Sequence, residues 1–278
     1  MTKKTAEFLG RACAYGAGDI GANGSFYIIG LYFTVFLTQV ESIPVWWVGV
    51  IVLTGRLVDA VTDPLMGSLT DRTVSPLGRH RVYFVRGFLP LAFIYMTLFY
   101  SFAIPPRAVT LKAVYYLVMN SLFSIVYTLV YVPYAAMLPG LSGDYHERTR
   151  IVGIRNIFSC IGCVLPYFVS MYLLGNEYSP AGSRGRFMVM GLSFGLFFAL
   201  SILITFFFVK EEPARKFPET GAALPAGARG RGLYGECIDL FRSRSYRIYL
   251  VMMLSVNCMS GMIIGSYFYY TAYIGAHY

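Results

Sequence analysis

The sequence predicts an all-α membrane protein: a six-helix N-terminal bundle followed by a seventh spanning helix. Three observations carry that prediction. Hydrophobic residues make up 56% of the 278 and charged residues only 13%, with a mean hydropathy of +0.58, whereas soluble domains carry about 25% charge. The apolar residues come in runs long enough to cross a bilayer, where ~20 residues at 1.5 Å each span ~30 Å. The charges lie between those runs, so a formal charge of +9 reads as membrane topology and not as nucleic-acid binding.

The runs fall at residues 12–39, 45–70, 82–104, 111–138, 151–174, 186–209 and 247–275. Span one follows Lys3, Lys4 and Arg11, and its apolar stretch continues to Val40 without a small-residue cleavage site, which marks a spanning helix and not a signal peptide. Glycines between Tyr15 and Gly24 permit close helix contact. Asp19 and Asn23 share one face, four residues apart. They serve either to join helices or to face a cavity.

Span two holds Arg56, Asp59 and Asp63, spaced so that a helix places all three on one face. Each charge in hydrocarbon costs ~3 kcal/mol on insertion scales. Two carboxylates and one guanidinium leave one net negative charge, which a small monovalent cation or a proton would neutralise. Hard cations take oxygen ligands, and Thr62 offers another. Pro64 removes a backbone donor at the same level. The alternative is a buried ion pair that only locks helices together. The loop after span two carries Asp71, Arg72, Arg79 and Arg81, which form a topology signal or a gating latch of ion pairs.

Arg86 opens span three and snorkels to the interface. Span four carries Thr128 and the tyrosines 127, 131 and 134 at i, i+4, i+7, surfaces suited to sugar rings; Tyr131 is the substrate-facing candidate. A charged loop, 142–150, precedes Arg155 in span five, which gates, contacts substrate or snorkels. Cys160 and Cys163 sit in an apolar helix and pack. Span six is Phe-rich, for packing or lipid. Residues 210–231 have linker composition, and 232–242 read as a short amphipathic helix on the cytoplasmic surface. The domains are therefore 1–209, a six-helix bundle; 210–246, a linker with that helix; and 247–278, the first helix of a further bundle. With the N-terminus inside, sixteen of the 23 basic residues are cytoplasmic and four external, which sets that orientation in the plasma (inner) membrane.

Arg56-x-x-Asp59-x-x-x-Asp63-Pro64-x-x-Gly67, Tyr15-Gly-x-Gly, and Tyr127-Thr128 to Pro139 followed by Asp144 to Arg150 resemble the glycoside–pentoside–hexuronide:cation symporters of the major facilitator superfamily, the melibiose carrier among them. The resemblance covers essentially the whole chain. It implies that Asp59 and Asp63 bind Na⁺ or H⁺, with Thr62 and Thr128 in the same sphere and Arg56 beside them. The family's sugar-binding aspartates fall at Asn23 and Tyr131, its preceding lysine at Ala22 and its stacking tryptophan at Ala135. Arg155 matches the arginine that contacts sugar. The cation set is thus kept and the galactoside set is not. The family has twelve spans, so five are missing, either because the sequence is a fragment or because a complementary chain supplies them.

These readings converge on a cation-coupled symporter of a sugar or glycoside, with Asn23, Tyr131, Arg155 and Asp19 toward substrate, lipid around it, no nucleic-acid partner and no cofactor beyond the coupling ion. The competing reading is a non-transporting, truncated membrane protein, a sensor or scaffold with structural buried charges. No nucleophile–base set stands out for an enzyme.

Overall fold

The computed structural model describes residues 3–100, 104–105, 107–174, 180–209 and 242–269. The chain divides into two units, Met1–Pro213 and Ala214–Tyr278. The first contains α1 (Lys3–Ile28, running on through π-helical pieces at Ile29–Phe33 and Phe36–Val40), α2 (Val45–Arg72), α3 (Arg81–Leu98), α4 (Val109–Met137), α5 (Tyr145–Leu174) and α6 (Pro180–Phe208). All six are long and apolar enough to cross a membrane. The second unit contains α7 (Arg244–Tyr269), whose apolar part among the described residues, Tyr246–Val256, is shorter than a span. The expected linker from 210, the amphipathic helix up to Phe241 and the Tyr-rich end after Tyr269 lie outside the described residues.

Helix ends differ from the hydropathy runs where local chemistry continues or stops a helix beyond the apolar core. α5 begins six residues before 151 because its first turn is capped. The Asp144 carboxylate accepts the His146 N–H at 3.3 Å, and the Ser142 hydroxyl donates to Glu147 at 2.6 Å. α3 stops at Leu98, short of 104, where the Tyr115 hydroxyl takes up the Thr97 and Tyr100 carbonyls at 3.1 and 3.0 Å, oxygens that a continuing helix would have used.

α1 packs on both α5 and α6, α3 on both α4 and α6, and α2 lies against α4. Glycine makes the α1–α5 contact close: a Cβ on Gly162 would stand 2.7 Å from the Ile20 Cα. Small residues serve this purpose in membrane bundles, where van der Waals packing replaces the hydrophobic effect. The π-helical pieces of α1 carry Phe33 and Phe36 into an aromatic cluster, with Phe36 5.0 Å from Phe187 and 5.8 Å from Tyr116 between ring centroids.

Beside that cluster, Glu41 and Lys112, each 1% exposed, form an ion pair at 2.7 Å, and Arg184 approaches the same carboxylate oxygen at 3.2 Å. Lys112 also donates to the Glu41 backbone carbonyl. The group fastens the α1–α2 turn, where Ser42 has φ 56°, to the starts of α4 and α6. Arg184 lies inside a helix because α6 begins before the apolar run expected from 186.

Candidate functional site

α2 and α4 bring three of the four expected cation ligands together, Asp63, Thr62 and Thr128, with Asp59 one turn away on α2. Asn120 donates to the Ile51 carbonyl at 3.0 Å and Ser124 to the Gly55 carbonyl at 3.2 Å, so polar side chains of α4 hold the α2 backbone close above the acids. One turn on, Thr128 donates to Asp63 Oδ1 at 2.8 Å, and the Thr62 and Thr128 hydroxyl oxygens stand 3.4 Å apart. Thr62 shares its proton with the Val58 carbonyl at 3.0 Å. Pro64 has no N–H to give to the Ala60 carbonyl. Carboxylate and hydroxyl oxygens thus gather at one level, the ligand type that hard cations take.

Asp59 is engaged only loosely. Its Oδ2 lies 3.7 Å from Arg56 Nη1, with the two side chains 23% and 55% exposed. Its Oδ1 is buried with no hydrogen bond among the described residues, the Ser124 hydroxyl beside it being given to Gly55. The Arg56 guanidinium sits over the ring of Phe26 on α1, 4.4 Å from its centroid.

Asp19, Asn23 and Arg155 also meet, between α1 and α5. Asn23 donates to Asp19 Oδ2 at 3.0 Å, and Arg155 Nε lies 3.8 Å from the same oxygen. Asp19 is 1% exposed, while Asn23 and Arg155 are half-buried. Of the three, Asn23 and Arg155 are therefore the ones with surface to offer, and Asp19 lies behind them. The tyrosine stripe splits. Phe123, Tyr127 and Tyr131 stack in succession with centroids 5.7 and 5.3 Å apart, and Phe26 joins Tyr127 at 5.6 Å. Tyr134 is outside that stack and packs on Tyr15 at 4.6 Å, each hydroxyl donating to the other's backbone carbonyl, but it still lines one small cavity with Tyr127 and Tyr131. Helical spacing of 100° per residue separates i+7 from i+4 enough for the neighbours to decide.

In the loop after α2, Arg79 pairs with Asp71 at 2.5 Å and donates from Nε to the Thr70 carbonyl at 3.0 Å, closing the helix C-terminus. Arg72 is exposed at the helix end. Arg81 does not join that pair: it donates to the Phe206 carbonyl at 2.5 Å and lies over the Phe206 ring, tying α3 to α6. Sequence reasoning missed Glu41 and Phe26. Glu41 closes an apolar run whose end looked like a loop, and no spacing rule pairs Phe26 with Arg56 thirty residues away.

The model of the family described as "MFS/sugar transport protein" matches residues 14–277. Among curated proteins, the chain is 33% identical over 182 residues to the uncharacterized symporter sll1374 of Synechocystis sp., covering 64% of this chain and 33% of that one. It is 29% identical over 209 residues to the inner membrane symporter YicJ of Escherichia coli, covering 74% and 44%. It is 27% identical over 266 residues to the putative glycoside/cation symporter YagG of Escherichia coli, covering 95% and 54%. The chain spans about a third to a half of the length of these relatives. Matched nearly from end to end, with six helices fit to cross a membrane, it belongs to the MFS/sugar transport protein family.

Proposed function

We propose that this chain is the N-terminal part of a secondary transporter that moves a sugar or glycoside together with Na⁺ or H⁺. The supporting observation is the oxygen cluster itself: Asp63 bonded to Thr128, Thr62 alongside, and a buried Asp59 oxygen with no hydrogen bond among the described residues. An ion at Asp59, Asp63, Thr62 and Thr128 would cancel the net negative charge of the α2 cluster, and linkage would make substrate and ion strengthen each other's binding. Substrate contacts fall to Asn23, Tyr131 and Arg155, with Asp19 behind them. The name of one relative, a putative glycoside/cation symporter, agrees with this class of cargo. No cofactor beyond the ion is required, and the role is carriage, not enzymatic chemistry.

The basic residues support an N-terminus on the cytoplasmic side of the plasma membrane. Asp71, Arg72, Arg79 and Arg81 would then form the cytoplasmic gating loop, with the exposed Asp71–Arg79 pair as its breakable latch. Residues 210–246 would be a linker, and 247–278 the opening helix of a second bundle, supplied by further sequence or by a complementary chain.

The test is ion binding to the purified chain in lipid nanodiscs, by calorimetry for Na⁺ and by the infrared carboxyl band for H⁺. Asp59→Asn or Asp63→Asn should abolish the response. Unchanged binding in both variants would refute the assignment.

A further inference from the structure

We infer that Phe26 sets the cation affinity of the α2 cluster by holding Arg56 off Asp59. The inference rests on the cation-site reading above. An arginine and an aspartate three residues apart on a helix can close to a hydrogen-bonded pair, and Arg56 is 55% exposed, so no surrounding wall confines it. Yet its Nη1 stops 3.7 Å from Asp59 Oδ2, beyond hydrogen-bond length, and Asp59 Oδ1 makes no hydrogen bond among the described residues, the neighbouring Ser124 hydroxyl being given to the Gly55 carbonyl. The guanidinium instead lies 4.4 Å from the centre of the Phe26 ring, within the ~6 Å range at which the ring's negative face attracts a cation. Phe26 also packs 5.6 Å from Tyr127, the middle ring of the Phe123–Tyr127–Tyr131 stack.

Two attractions therefore compete for one guanidinium. If the carboxylate won outright, Arg56 would act as a built-in cation and the coupling ion would have to displace it. If Arg56 left altogether, two acids one turn apart on α2 would stand unneutralised. The ring holds Arg56 at an intermediate distance, close enough to offset part of the charge and far enough to leave an Asp59 oxygen for an ion. Because the ring is on α1 and touches the aromatic stack on α4, a molecule pressing on that stack also shifts the Arg56 perch. Phe26 is a positioning residue in this scheme and touches neither ion nor acid.

The experiment measures ion affinity of the full chain in nanodiscs for wild type, F26L, F26W, R56Q and F26L/R56Q, with Na⁺ by calorimetry and H⁺ by the infrared carboxyl band. Leucine keeps the apolar bulk and removes the ring face. F26L should weaken binding of the coupling ion roughly two- to fivefold, and F26W should bind as wild type or better. In the R56Q background the F26L change should have no further effect, a coupling that loss of packing alone would not produce. Wild type binding neither ion would overturn the site reading and this inference with it. An ion bound equally well by wild type and F26L, or an F26L defect that persists with R56Q, would overturn this inference alone.

Discussion

Replacing Lys112 by methionine should be among the most damaging single changes to the first unit. Its Nζ lies 2.7 Å from Glu41 Oε2, with both side chains 1% exposed. At an effective dielectric of 20, that separation corresponds to about 6 kcal/mol of attraction. Part of it offsets the desolvation of the two groups, and breaking a buried pair by removing one partner costs about 3–5 kcal/mol. Arg184 still reaches the same oxygen at 3.2 Å but is 38% exposed and better screened, which places K112M near the lower end, about 3 kcal/mol. The double variant E41Q/K112M removes both buried charges and leaves Arg184 free to turn to solvent, so it should recover to within about 1 kcal/mol of wild type. Denaturant unfolding of the purified chain in mixed micelles, followed by helical circular dichroism, reads all three proteins. A K112M loss below about 1 kcal/mol, or a double variant no better than the single, would refute the claim that the pair is a matched unit.

Gly162→Val should disrupt the α1–α5 contact, because its Cβ would meet backbone at Ile20 and not a movable side chain. The expected loss is at least the ~1–3 kcal/mol of an overpacked core, read as a lowered melting temperature in micelles, with Gly153→Ala, which meets nothing within 4 Å, as the silent control. Arg79→Ala should cost only about 0.5–1 kcal/mol: the Asp71 side chain is 74% exposed, so the ion pair itself contributes little, and what is lost is the cap on the Thr70 carbonyl. Amide exchange should rise in the last turn of α2 and nowhere else, and global destabilisation would contradict this.

Six spanning helices and the α2 acid cluster were legible in the chain itself. Both follow from rules that act along one helix: a bilayer demands about 20 apolar residues, and charges three and four apart share a face. The motif spacing likewise led to the family that the comparisons show. Which groups would complete the cluster depended on another helix, and there the resemblance supplied Thr128 while the packing of α4 on α2 brought it to Asp63. Tyr134 was grouped with Tyr127 and Tyr131 by spacing, and all three line one cavity, but its ring stacks on Tyr15 of α1 and not on Tyr131. The Glu41–Lys112–Arg184 group and the Phe26–Arg56 contact could not be read from residue order, since their members stand thirty to 143 positions apart. Local periodicity determines what a helix can offer on each face; only the packed bundle decides which faces meet, because contact energies between helices depend on shape and burial that no single segment encodes.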